Sequence, residues 1–232
     1  MLANNNKMII NKLAKNSVKS NKKQYGILFF TIVLSAFMLF CVFTIGLTYL
    51  DSSRLQNTRL NGAEYDITTM NGFTSKQVKS LQSNKNIQNV GMESYAGFIK
   101  RSKFDNTVEI GLLWCDETFW NNLMSPARTK LDGHYPQNKN ELMVTKDILK
   151  ACGNENLSVG DSIVLTYENN TGVHTDKFVI SGIWDGYGDK SAGFVSKNFY
   201  DETGYDLKND GILCIKLNLS LIHISEPTRH SL

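Results

Sequence analysis

Asp185 and Asp189 bracket a Gly-Tyr-Gly turn, and paired carboxylates on a tight turn are the beginning of a cation loop. The stretch lacks the further oxygen ligands and the closing glutamate that a calcium loop uses, so it predicts a plain turn. The glycines of the same stretch do not follow a strand and open a helix as a dinucleotide fingerprint would. His134 and His174 stand apart from any serine or cysteine that could complete a nucleophile–base pair. Cys115, Cys152 and Cys214 form no CxxC and no metal spacing, and Cys41 lies in an apolar run. The three predict buried or partly buried thiols, or one disulfide with one cysteine left over. Lys100-Arg101-Ser102-Lys103 reads as a solvated turn. Asn156-Leu-Ser and Asn169-Asn-Thr match glycosylation acceptors by pattern alone. No GxxxxGK[ST] phosphate loop is present. The residues therefore predict no catalytic, cofactor-binding or metal-binding set, and a chain that is not an enzyme.

A second group of residues carries geometry rather than reactivity. Gly133-x-x-Pro136, Asn140-Glu141-Leu142, Val159-Gly160-Asp161 and Val179-Ile-Ser-Gly182 follow one another over fifty residues. Gly133 and Gly160 suit turns with positive φ, and Pro136 stiffens a loop. Gly160-Asp161 is a turn before the apolar Ser162–Tyr167 segment. Gly182 inside a strand predicts a bulge or a close backbone approach.

The elements that must position these residues divide at the end of a long apolar run. Gly26 to Leu50 carries no charge. At 1.5 Å per residue it exceeds the roughly 20 residues needed to cross a bilayer. Tyr25 and Tyr49 sit at its ends, where amphipathic rings favour the interface. Lys7, Lys12, Lys15, Lys19, Lys22 and Lys23 precede it with no acid among them, while the rest of the chain is mildly acidic. This asymmetry predicts a cytoplasmic N-terminus, an extracytoplasmic remainder and no nucleic-acid partner. A cleaved signal peptide is the competing reading, against which stand the length of the run and the lack of a small-x-small site. Residues 7–23 step their apolar positions by four, giving either an amphipathic helix at the bilayer surface or a basic topogenic leader.

Beyond Leu50 the spacing prolongs the helix for two or three turns. Strands are predicted over 63–70, 90–100, 107–114, 141–145, 162–167, 177–184, 193–196 and 211–217. Helices are predicted from the Thr74-x-x-Gln77 capping box to Ser83, over 116–124, over 146–151 and over 197–203. The Glu168–Gly172 segment (ENNTG) reads as a loop. The fold class is α+β: one N-terminal transmembrane helix followed by a mixed α/β extracytoplasmic domain.

The ordered motifs Gly133-x-x-Pro136 with Asn140-Glu141, then Gly160-Asp161 before a strand, then a Phe-x-[Val/Ile]-x-Gly182-Ile strand, resemble the extracytoplasmic domain of FtsX-like (MacB-type) ABC transporter permeases. The basic helix running into the first apolar helix is similar as well. The resemblance covers residues 7–217, and over 71–125 it rests on layout. It implies a permease subunit of the bacterial plasma membrane, partnered by a cytoplasmic ABC ATPase that binds the ATP, by a second permease copy or homologue, and by the lipid bilayer. The clients implied are peptides, lipids or lipoproteins. The domains expected are 1–23 as the cytoplasmic basic amphipathic helix, 24–50 as the transmembrane helix, and 51–218 as an incomplete MacB-like core domain. The other class of reading is the sensor domain of a membrane-anchored signalling receptor, which has the same front half. Leu219–Arg229 (LSLIHISEPTR) resembles, residue for residue, a translated sequencing-library adapter, so 219–232 are expected to be an artefact and the natural frame to continue past Asn218.

Overall fold

The computed structural model describes residues 6–100, 110–187 and 192–218. Asp189, the Arg101–Lys103 part of the basic cluster, the first residues of the strand expected from 107 and the adapter-like tail lie outside the described residues. The chain forms two compact units, Met1–Arg54 and Leu55–Leu232.

The first unit is helical. Helix α1 spans Asn6–Ser20 and helix α2 spans Lys22–Asn61. Asn21 separates them, although Asn21 N–H still bonds Ser17 O at 3.1 Å and Tyr25 N–H bonds Asn21 O at 3.0 Å. Helix α2 has 40 residues, about 60 Å of rise. It carries the whole uncharged run and continues past it, as the sequence predicts, into the second unit.

The second unit adds, in chain order, β1 (Ile67–Thr69), α3 (Ser75–Gln82), β2 (Ile87–Ile99), β3 (Ile110–Cys115), β4 (Arg128–Gly133), β5 (Glu141–Thr145), α4 (Lys146–Ala151), β6 (Ser162–Asn169), β7 (Gly172–Gly186), β8 (Gly193–Val195), α5 (Lys197–Tyr200), α6 (Leu207–Asp210) and β9 (Ile212–Leu217). The sheet order is β1-β9-β2-β3-β8-β5-β7-β4, and β6 pairs both β2 and β7. The pairings β2-β3-β8-β5-β7-β6 therefore return to β2 and close a ring. Two of them, β3 with β8 and β5 with β7, are parallel. Alternation sets one face of each ring strand inward: Ile110 and Leu112, Leu142 and Val144, Ile163 and Leu165, Phe178 and Ile180, joined by Ala96, Ile99 and Val195. Ile148 and Leu149 of α4 and Phe199 and Tyr200 of α5 pack into the same cluster. Each large side chain taken fully out of water contributes about 1.5–3 kcal/mol. A second cluster on the opposite face gathers Cys115, Phe119, Trp120, Leu123, Met143, Trp184, Phe194 and Cys214.

Local rules account for most boundaries. Thr74 and Gln77 form a complete capping box at α3, and Thr145 and Ser196 cap α4 and α5. Several expectations need correction. The ENNTG segment is not a five-residue loop: strands β6 and β7 extend to pair Asn169 with Gly172, leaving only Asn170 and Thr171 at the turn. Asn169 Oδ1 drives this by accepting from Thr171 N–H at 2.9 Å and Thr171 Oγ at 2.7 Å, a side chain mimicking a backbone turn. The strand expected from Ala63 shrinks to Ile67–Thr69, because Ala63 is drawn into the second cluster instead. The 116–124 helix contains a π-helical turn, Phe119–Leu123, in which Met124 N–H reaches back to Phe119 O at 2.8 Å. The last helix stops at Tyr200 rather than Thr203. Strand β4 and helix α6 are additional. Strand β4 reads RTKLDG and is an exposed edge held through its backbone, so no apolar alternation marks it.

Candidate functional site

Three structural features stand out: the apolar surface of α2, the segment that fixes the end of α2 within the globular unit, and the convergence of the glycine-bearing motifs. Along Gly26–Leu50 the large apolar side chains are exposed, among them Ile27, Phe29, Phe30, Phe40, Phe43 and Leu47. None of the most apolar window is buried within the protein. Thr31, Ser35 and Thr44 donate their hydroxyls to Ile27 O, Thr31 O and Phe40 O at 2.8–2.9 Å. A helix that is apolar all round and satisfies its own hydroxyls is suited to hydrocarbon.

The final turns of α2 belong to the globular unit and are tied there. Thr58 is buried. Arg59 places its guanidinium carbon 4.0 Å from the Tyr187 ring centroid, and one of its nitrogens donates to Tyr187 Oη at 3.4 Å. Gly62, at φ +78°, ends the helix by returning its N–H to Thr58 O at 3.0 Å. The exit is then fixed residue by residue. Ala63 is 2% exposed. Glu64 N–H bonds Leu123 O at 2.7 Å, and the Glu64 carboxylate pairs with Lys216 at 2.5 Å. Asp66 N–H bonds Ile215 O at 2.9 Å, and Asp66 Oδ2 accepts Leu217 N–H at 2.8 Å.

The motif residues converge on four residues of β7. Val179 N–H donates to Asn140 O at 2.8 Å. Ile180 N–H donates to Asp161 O at 2.9 Å, while Ile180 O accepts Gly160 N–H at 2.8 Å. Ser181 O accepts His134 N–H at 2.9 Å, next to Gly133. Gly182 pairs Gly133 across the β4–β7 ladder. Gly133 lies at φ +88°, and a Cβ there would meet Ser181 O at 2.3 Å. A Cβ at Gly182 would meet His134 O at 2.8 Å, where the β5–β7 register skips Ser181. Gly160 has φ +95° and open space around it, so its requirement is conformational. Asp161 Oδ2 accepts Ser158 N–H at 2.8 Å. Glu141 accepts Gln137 N–H at 2.7 Å, Asn138 N–H at 3.1 Å and the Asn138 amide at 2.7 Å, locking the loop that follows the buried Pro136. Burial opposes the charge on Glu141, yet these donors outweigh it and hold its pKa below the usual carboxylate value. Gly133, Asn140, Glu141, Gly160 and Asp161 form a clamp on Val179–Gly182 and bring no reactive groups together.

The remaining candidates stay apart. Among the described residues His134 Nδ1 lies 3.0 Å from Tyr135 O. His174 stacks on Tyr167 and meets Thr171 Oγ at 2.8 Å, beside a hollow of about 200 Å³. Asp185 accepts the N–H of Gly186, its own neighbour, at 2.9 Å. Among the described residues no three His, Cys, Asp or Glu side chains are placed to hold a metal. No disulfide joins the cysteines; Cys115 and Cys214 are buried. Burial pushes the Cys115 thiol well above its ordinary value and the Cys214 thiol up to about 12. Two structural side chains were not found by sequence reasoning. One is Arg59. The other is Tyr135, whose hydroxyl accepts Cys115 N–H at 3.0 Å and lies 3.2 Å from Cys115 O and 3.3 Å from Val195 O, stapling β3 to β8. Nothing local in sequence marks either, since each partner lies in a distant element.

The chain is similar in structure to the extracellular domain of the noncanonic ABC-type transporter YknZ from Gram-positive bacteria, at 11% identity and a TM-score of 0.44, over 66% of this chain and 78% of that one. It is also similar to the periplasmic region of MacB from Actinobacillus actinomycetemcomitans, at 12% identity and a TM-score of 0.42, over 68% of this chain and 78% of that one. No family model and no curated protein matches the sequence.

Proposed function

We propose that this chain is a permease subunit of an ABC transporter, with α1 cytoplasmic, Gly26–Leu50 in the bacterial plasma membrane and the sheet unit outside. The observation that carries the reading is the continuity of α2. One unbroken helix holds both the lipid-suited run and the turn bearing Arg59, which is tied to the sheet unit. A displacement of the membrane segment then reaches the sheet unit through Thr58, Arg59 and the Ala63–Asp66 exit. The ordered clamp motifs, resembling those of FtsX-like permeases, support the same assignment. ATP is bound and hydrolysed by a partner subunit, and this chain supplies no cofactor site and no catalysis of its own. A second permease copy or homologue completes the pair. The work done outside moves peptides, lipids or lipoproteins.

Single cysteines test the topology on a chain whose own four cysteines are replaced by alanine. Asn170→Cys, in the exposed β6–β7 turn, reacts with a membrane-impermeant maleimide in intact cells, whereas Asn11→Cys in α1 reacts only after permeabilisation. The reverse pattern removes the assignment. Co-purification of a nucleotide-binding subunit with the full chain is the second expected result, and a co-purifying kinase or cyclase module instead overturns the permease reading.

A further inference from the structure

We propose that Lys12, Lys15, Lys19 and Lys22 form a ridge that docks anionic phospholipid headgroups. The inference rests on the membrane reading above and adds a partner chemistry to it. Spacings of three, four and three place the four lysines along one side of the α1 helix and its junction with α2. Lys15, Lys19 and Lys22 line one open groove together with Asn11, Ala14, Asn16 and Val18. Like charges at these spacings repel, and no acid occurs in the sequence before Asp51 to neutralise them. The ridge is therefore stabilised by an external anion.

Charge and continuity identify that anion. The groove begins three residues before Tyr25, where the lipid-suited run starts, and Ser17 Oγ lies 3.2 Å from Tyr25 Oη across Asn21. The side of α1 away from the lysines exposes Ile9, Ile10 and Leu13, each at least 60% exposed. An apolar side and a lysine side on one short helix beside a span describe an interfacial helix, sunk at the acyl boundary with its ammonium groups at the level of the phosphates. Lysines so placed favour anionic over zwitterionic lipid, each by about fivefold, and salt weakens the preference.

The test uses the purified full chain in mixed micelles holding phosphatidylglycerol and phosphatidylcholine in equal amounts, with retained lipid counted by mass spectrometry. The wild-type chain enriches phosphatidylglycerol at low salt and loses the enrichment in high salt. Lys15→Gln, Lys19→Gln and Lys22→Gln each lower it about fivefold, towards parity. A charge-conserving rearrangement, Lys15→Asn with Asn16→Lys and Lys19→Ser with Ser17→Lys, also abolishes it, because only one pair of lysines three or four residues apart then remains while the net charge stays. Equal retention of both lipids by the wild type overturns the proposal and leaves the ridge to an acidic protein surface. Enrichment that survives the rearrangement overturns it too, since net charge alone then suffices. Carbonate extraction of membranes from the same preparation separates the two levels. A chain released by carbonate removes the membrane reading and the ridge together, whereas a retained chain without lipid preference removes the ridge alone.

Discussion

Glu141 shows how one carboxylate can hold a loop. Its donors are two backbone N–H groups and one side-chain amide, all within four residues. Glu141→Gln removes the charge assistance and should cost about 1 kcal/mol near neutral pH, a fall of roughly 2–4 °C in melting temperature. Because the folded pKa is depressed, the contribution is present above the unfolded carboxylate pKa and disappears as pH falls through the folded one. Melting curves of both proteins should therefore converge in acid; a constant gap would show that the charge is not what matters. Cys214 has the opposite sign. Its thiol is held neutral up to about 12, against an ordinary value of 9.0. Stability is full below the unfolded value and declines from about pH 9 towards 12, as the unfolded thiol ionises first. Cys214→Ala should flatten that alkaline decline in thermal melts. Reading such residues from sequence succeeded where the demand was local, as at Gly133 and Gly160, where a glycine beside polar residues announces a positive φ. The loop-holding role of Glu141 was not read from sequence. Reading also failed at Arg59 and Tyr135, because a cation over a ring or a hydroxyl between two strands depends on elements that meet only in the folded chain.

At the scale of elements, the clamp on Val179–Gly182 sets the register of four segments at once. Gly182→Ala would push a methyl group against His134 O and the Met143 side chain. It should destabilise the sheet unit by about 1–3 kcal/mol without altering membrane insertion. A melting temperature equal to that of the wild type would show that the bulge at Ser181 absorbs the methyl group. The end of α2 makes a different demand. Arg59→Ala should leave the sheet core intact but raise hydrogen exchange of the Leu55–Gly62 amides, because the stacking on Tyr187 is lost. Unchanged exchange there would mean that Thr58 and Ala63 fix the helix without the arginine. Elements with a strong period or a cap were legible in sequence: α2, α3, α4, β5 and β9 fall close to where periodicity and capping place them. Strand β4 was not, because an edge strand of charged residues carries no burial pattern to read.

For the whole molecule, the mixed α/β class and the long apolar helix ahead of it were legible, but the closed ring of strands was not. Periodicity gives the faces of strands and says nothing of which neighbours they choose. The ring and its edge partner also impose an order of events on biosynthesis. Among the described residues strand β1 pairs only β9, with Ile67 opposite Ile215, and β3 waits for β8. A ribosome adding roughly 5–20 residues per second needs on the order of ten seconds to pass from the first of these strands to the last. Throughout that interval the nascent chain holds the Val90–Glu93 edge of β2 without the partner that β9 will provide. The emerging unit is thus open to foreign strands until β9 appears, and a chaperone would find its client there.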